Sequence, residues 1–132
     1  MADAQDVHGI VFKNGTATFL ARVVGADGTN ITQADISTAT YSIYRLNDQN
    51  ADTRTDVTGH ADVSLTVSAI ITDTLQTDAI WTVDSTGYNF AHTPIISSNE
   101  AFAIAGRSYL VEYSLTPASG QLILVRFRTG AI

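Results

Sequence analysis

β-Branched residues dominate this chain. Val, Ile and Thr account for 40 of the 132 residues, and they favour a pleated strand over a helix because their side chains are stiff at the first torsion angle. Several windows also alternate apolar and polar residues with a period of two, as strands with one buried face do. The sequence therefore predicts a protein built almost entirely from β-strands.

Turn-forming residues divide this pattern into short segments. Strands are predicted at residues 16–24, 37–46, 61–67, 79–83, 88–96, 107–116 and 121–129. The clearest is 107–116, where one face carries Tyr109, Val111, Tyr113 and Leu115. A parallel fold would need crossover helices, and the chain has no long amphipathic helix. Seven to eight short strands therefore predict an all-β, antiparallel sandwich or small barrel.

The first sharp turn is predicted at Asn14-Gly15, a pair that favours a type I′ hairpin. The resulting register places Ile10 opposite Phe19. Residues 1–15 are therefore expected to form an N-terminal arm with the first hairpin strand, and residues 16–132 a single domain. An arm of this kind is able to pair with another subunit.

Two short helical turns are predicted between the strands. Thr32 has the character of an N-cap, because Asp35 follows three residues later as in a capping box. A second turn is predicted around Asp73–Gln76. Neither turn is long enough to form a helical layer of its own.

Charge and composition exclude several classes of partner. The net charge is −6, Cys is absent and Lys occurs once. Nucleic acids and anionic membranes need clustered basic residues, so neither is an expected partner. The absence of Cys removes disulfides and thiolate nucleophiles. Residues 1–7 contain two aspartates and no basic residue, so no secretory signal is predicted there.

The polar loop Asp48–Asp52 resembles the opening of a calcium-binding loop. The full pattern has Gly at the sixth position and Glu at the twelfth, whereas this chain has Thr53 and Gly59 there. A solvated loop rich in turn-forming residues is the preferred interpretation. Ion binding at this loop remains an alternative.

The three histidines, His8, His60 and His92, lack the i,i+2 or i,i+4 spacing of a metal-binding pair. A Ser-His-Asp triad needs closeness only in space, but Gly106-Arg107-Ser108 lacks the second glycine of a nucleophile elbow. We therefore predict no catalytic residue, no cofactor-binding residue and no metal ligand, and a protein that is not an enzyme.

Trp81 and Tyr88 carry much of the aromatic mass. In a sandwich the expected position of the single Trp is the centre of the core, and Tyr88 near a strand start is expected to direct its hydroxyl to the backbone, as in a tyrosine corner. The alternative is an exposed aromatic platform that binds sugar.

The last strand is apolar on both faces at Leu122–Val125. It is therefore expected to be either a central strand covered twice or a strand with one face against another subunit. Arg126 and Arg128 extend the same face as Leu122 and Leu124. Their guanidinium groups are expected either to hold a carboxylate of a neighbouring copy or to lie in solvent.

The order of strands and turn residues resembles that of small immunoglobulin-like structural proteins of tailed-phage and prophage virions, including the N-terminal domains of baseplate upper proteins. The segments that carry the resemblance are Thr16–Val24, Asp27-Gly28, Ile31-Thr32, Tyr41–Tyr44, Trp81–Asp84, Gly87–Phe90, Gly106–Tyr113 and the strand after Gly120. The resemblance spans about residues 16–129 and includes no catalytic residues. It implies an immunoglobulin-like β-sandwich.

The resemblance also implies a role in a virion made in the bacterial host cytoplasm. The protein is then expected to be a capsid decoration protein, a head–tail connector, or a tail or baseplate component that docks onto other virion proteins or onto copies of itself. A homo-oligomer is expected. The alternative function is a carbohydrate-binding or adhesive β-sandwich module on a cell surface or phage fibre.

Overall fold

The computed structural model describes residues 6–11, 17–25, 28–46, 54–81, 85–95, 101–118 and 121–132. Within these ranges the chain forms nine strands, one four-residue α-helix and one 3-10 helix at Gln33–Asp35. The strands are β1 Asp6–Val11, β2 Phe19–Ala21, β3 Ile36–Leu46, β4 Arg54–Asp56, β5 Val63–Leu65, β6 Ile71–Gln76, β7 Tyr88–His92, β8 Ser108–Pro117 and β9 Ile123–Ala131. The helix, α1, is Val67–Ile70.

The nine strands form two sheets. The six-stranded sheet has the order β1-β9-β8-β3-β4, with β5 also paired to β3, and the three-stranded sheet has the order β2-β7-β6. Every pair is antiparallel except β1 with β9, which run parallel. The predicted all-β class and sandwich-like architecture are therefore confirmed.

The core lies where alternating side chains of both sheets meet. In β8 the four residues predicted to share one face, Tyr109, Val111, Tyr113 and Leu115, do so and face the core, because each is at most 2% exposed. The ring of Tyr113 lies edge-on to Phe90 of the facing sheet, with centroids 4.7 Å apart. Such aromatic pairs add about 0.5–1.5 kcal/mol beyond the area that they bury.

The predicted first hairpin is wrong in its pairing. Asn14-Gly15 lies outside the described residues, but Ile10 pairs with Gly130 and Phe19 pairs with His92. The two strands therefore belong to different sheets, and the described part of the expected arm pairs with β9 of the same chain. In β2, Phe19 is buried with its ring 4.9 Å from that of Phe127. Tertiary packing of this side chain overrides the local turn signal.

Of the two predicted helical turns, only the one at Thr32 forms. The backbone N–H of Thr32 donates to Asp35 Oδ2 at 2.9 Å, and its hydroxyl donates to the same oxygen at 3.1 Å. Asp73–Gln76 is instead part of β6, and the helix lies earlier, at Val67–Ile70. The predicted strand at 61–67 is thereby shortened to β5. Its end turns into α1, which brings the side chain of Ile70 into the core.

The side chain of Asn89 in β7 bonds the backbone of the segment that follows β2. This side chain is 1% exposed. The carboxamide oxygen accepts from Val23 N at 2.7 Å, while the amide nitrogen donates to Val23 O at 2.9 Å and to Ile31 O at 3.2 Å. The Asn89 side chain thus satisfies backbone groups of Val23 and Ile31 that a neighbouring strand would otherwise bond.

Candidate functional site

Two histidines are bound to tyrosines in or beside the core. His60 is buried in a turn whose carbonyl accepts from the N–H of Ile43 in β3 at 2.8 Å. Its Nδ1 lies 2.7 Å from the hydroxyl of Tyr41. The Tyr41 hydroxyl and His60 Nδ1 therefore each have a hydrogen-bond partner. An unpaired polar group in the core would cost about 1–3 kcal/mol.

His92 ends β7, and its Nδ1 lies 2.8 Å from the hydroxyl of Tyr113. Burial lowers the pKa of His92 to about 4, so the imidazole is neutral at pH 7. Burial, with a smaller contribution from Tyr41, raises the pKa of Tyr113 far above its usual range. We assign the phenol as donor to Nδ1, which leaves Nε2–H as the remaining donor of the ring.

The geometry of this cluster differs from that of a Ser-His-Asp triad. The rings of His60 and His92 both lie near that of Tyr41, with centroids 5.9 and 5.1 Å from it. Each Nδ1 contacts a phenol, whereas a triad requires a carboxylate at that position. Among the described residues, no three His, Cys, Asp or Glu side chains come together as a metal ligand set.

A hollow of about 510 Å³ lies beside His92. The polar side chains that line it are His92, Thr18, Ser64, Thr66 and Thr93. The hydroxyls of Thr18 and Thr93 are 2.6 Å apart and link the end of β7 to the residue before β2. The hollow also has apolar lining from Leu65, Ala69, Ile70, Ala91 and Ile95. This is the size range of small-molecule sites in proteins.

The outer face of the six-stranded sheet has a charged half. Arg126 Nε donates to Glu112 Oε2 at 2.8 Å, and Arg54 Nη1 lies 4.0 Å from the same oxygen. The Arg54 guanidinium also stacks over the ring of Tyr44 at 4.2 Å. The carboxylate that Arg126 binds is therefore in its own chain.

The other half of this face carries no ionisable side chain among its described residues. Thr40, Ser114 and Leu124 lie opposite one another across β3, β8 and β9, and Thr38 pairs with Thr116 in a second row. Leu122, two residues before Leu124, is 50% exposed. We call these six residues the uncharged patch. The last strand, β9, is central, between β1 and β8. The expectation that it is covered on both faces is wrong, because one face lies in the core while Leu122 on the other is exposed; contact of that face with another subunit stays a prediction.

The prediction that Trp81 lies at the core centre is wrong. The chain turns at residues 78–81, where Trp81 N donates to Asp78 O at 3.1 Å, and Trp81 is only partly buried. Its ring lies 5.6 Å from that of Tyr88. The hydroxyl of Tyr88 donates to Asp78 Oδ2 at 2.9 Å, so its partner is a carboxylate and not the backbone as expected. The predicted strand 79–83 begins with this turn, and residues 82–84 lie outside the described ranges.

Several sequence hypotheses fall on residues that the structure does not describe. The Asp48–Asp52 loop lies outside the described ranges, and the side chain of His8 is likewise not described. No helix of the described residues is long and apolar enough to cross a membrane.

The histidine–tyrosine pairing is the feature that sequence reasoning missed. A signal for it was present, because Tyr41 and Tyr113 both alternate with apolar residues in predicted strands, and a buried phenol needs a hydrogen-bond partner. Histidines without an assigned role were the obvious candidates for that partner.

Comparisons with protein-family models, curated proteins and solved structures found no match to this chain. Function therefore has to be inferred from the side chains and their arrangement.

Proposed function

We propose that the protein is a non-enzymatic structural component of a tailed-phage or prophage virion that works by docking onto other virion proteins or onto copies of itself. The observation that carries this proposal is the uncharged patch. Interface centres are depleted of charged residues, while charged side chains are tolerated at their rim. The patch, bordered by the Arg126–Glu112 row, has this arrangement.

The charge of the whole chain favours docking at this face. Copies with a net charge of −6 repel one another at long range. A surface of hydroxyls and leucines adds no repulsion, and each hydroxyl can both donate and accept. The patch is therefore chemically complementary to a second copy, and a homo-oligomer is part of the proposal.

The strand order supports the resemblance to immunoglobulin-like virion proteins. Immunoglobulin variable-type domains extend one sheet with extra strands and place the remaining strands opposite. The order β1-β9-β8-β3-β4 in one sheet and β2-β7-β6 in the other supports a relation to that arrangement. Fold alone does not assign function. The contact surface that the docking role needs is the uncharged patch.

Locating the protein in a particle tests the proposal. Virions purified on a density gradient from the source strain are expected to contain the chain in a fixed number of copies per particle, measured by mass spectrometry. A virion protein of known copy number serves as the internal standard. Recovery of the chain only in the soluble fraction of a particle-producing culture would contradict the proposal.

A carbohydrate-binding module is the second candidate, because Trp81 is only partly buried and lies beside Tyr88 and Asp78. An exposed aromatic face next to a carboxylate is suited to stacking on a sugar ring. Trp81 is the only tryptophan, so its fluorescence reports this position alone. Red-shifted, quenchable emission that changes on addition of glycans supports the candidate, whereas blue emission that resists quenching excludes it.

A further inference from the structure

The hydrogen-bonding side chains that line the hollow beside His92 are all uncharged at pH 7. The hydroxyls of Thr18, Ser64, Thr66 and Thr93 each donate and accept, and the neutral imidazole of His92 adds a donor. Its described lining contains no carboxylate, ammonium or guanidinium group. A charged ligand would lose hydration there without gaining a counter-charge. The lining therefore fits an uncharged ligand whose own groups both donate and accept.

The apolar part of the lining fits a ring with one non-polar face. Ile70 is buried, and Ala91 is partly buried one residue before His92 in β7. Ile95, 77% exposed, also lines the hollow. A pyranose presents C–H groups on one face and hydroxyls around its edge, so it can contact both kinds of lining at once.

We propose that this hollow binds an uncharged, polyhydroxylated ring, such as one sugar unit of a glycan. The proposal does not rest on the docking role, although Ser64 of the hollow lies opposite Thr40 of the uncharged patch. It is also separate from Trp81, because His92 is at the other end of β7 from Tyr88, the residue that Trp81 contacts.

Nuclear magnetic resonance on the whole chain tests the proposal. D-glucose, D-galactose and N-acetyl-D-glucosamine are titrated in turn, with inorganic phosphate and acetate as charged probes. At least one sugar is expected to give saturable shifts of the Ala91 methyl and His92 ring signals. Because the hollow is open and the ligand small, the dissociation constant is expected to be on the order of 1 mM. The two anions are expected to cause no saturable shift of these signals.

Substitution of Ala69 locates the binding. Ala69→Leu places a larger side chain into the hollow and is expected to weaken binding at least tenfold. The matched control is Ser68→Leu, which alters an exposed neighbour on α1 that does not line the hollow. Thr93→Val removes one hydroxyl at constant shape and is expected to weaken binding severalfold. This second variant tests the site if Ala69→Leu does not fold.

Four outcomes would overturn the proposal. They are the absence of saturable shifts for all three sugars, binding that neither Ala69→Leu nor Thr93→Val weakens, equal shifts with phosphate or acetate, and sugar-induced changes confined to Trp81 and its neighbours. The last result would support the aromatic platform instead. None of these outcomes bears on whether the protein is found in particles.

Discussion

At the scale of single residues, a few polar side chains in or beside the core act as hydrogen-bond partners for other buried groups. Asn89, His60 and His92 each satisfy groups that the sheets themselves leave unpaired. The period-two pattern does not assign these roles, because it treats a polar residue in a strand as facing solvent and gives no partner in space. Only the folded arrangement identifies Val23, Tyr41 and Tyr113 as their partners.

Asn89→Ala is expected to be strongly destabilising. The change removes the partners of Val23 N, Val23 O and Ile31 O in a buried position, and leaving buried groups unpaired costs about 1–3 kcal/mol each before relaxation. We expect the free energy of unfolding in urea to fall by about 2–4 kcal/mol. Asn30→Ala, at an exposed position, is the control and is expected to change it by less than about 0.5 kcal/mol. Equal effects of the two substitutions would contradict the role of Asn89.

Titration of His92 is expected to make stability depend on pH. The folded pKa of about 4 lies below the ordinary value of 6.5, so the unfolded chain binds a proton first as the pH falls. The stability that the neutral His92 contributes to the folded protein is therefore present above pH 6.5. It is lost as the pH falls from about 6.5 to 4. Across this range the melting temperature is expected to change less with pH for His92→Gln than for the wild type. A titration midpoint of the His92 ring near 6.5, observed by nuclear magnetic resonance, would contradict this expectation.

At the scale of strands, the sequence predicts an element well when one face is buried along its whole length. β8 is the clearest case, because Tyr109, Val111, Tyr113 and Leu115 repeat with the period of the pleat. β3 is similar, although its outward Ser42 is also buried. The first hairpin fails because a turn dipeptide specifies a local bend and not which sheet each strand joins.

The hollow and the uncharged patch could not be predicted for a related reason. Both combine residues from distant parts of the chain, such as Thr18 with Thr93 and Thr40 with Ser114. Period-two alternation gives the face of each residue within its own strand. It gives neither the neighbouring strand nor the register, which depend on packing between sheets.

Gly87→Ala is expected to break the contact between β6 and β7. Gly87 has a φ of +107°, and a Cβ there would lie 2.5 Å from the carbonyl oxygen of Gln76. Backbone strain and the clash together are expected to lower the free energy of unfolding by about 3 kcal/mol or more. Gly28→Ala is the matched control, since φ is +84° but nothing lies within 4 Å of its Cβ. It is expected to cost only about 1–2 kcal/mol.

At the scale of the whole molecule, the described residues of this acidic chain include an uncharged surface that would add no like charge if two copies met there. The uncharged patch, bordered by the paired Arg126 and Glu112, is that surface. Its properties depend on β3, β8 and β9 being adjacent. The surface is therefore lost if the sheet is rearranged, even when the composition is unchanged.

Thr40→Glu is expected to prevent self-association without unfolding the protein. It places a carboxylate in the patch row formed by Thr40, Ser114 and Leu124, opposite Ser114. We expect the wild type to show a concentration-dependent rise in light-scattering mass, and Thr40→Glu to remain monomeric with little change in melting temperature. Ser68→Glu adds the same charge at an exposed site outside the patch and is expected to behave as the wild type. Monomeric wild type at every concentration would contradict self-association through the patch.

The parallel alignment of β1 with β9 has a mechanical consequence. Asp6 lies beside Arg126 and Val11 beside Ala131, so a force that pulls Asp6 and Ala131 apart acts along the two strands in opposite directions. All the hydrogen bonds of this ladder are then loaded in shear together, whereas an antiparallel hairpin pulled from its open end would unzip one bond at a time. A subunit joined to its surroundings through these two strands would resist stretching with the combined strength of the ladder.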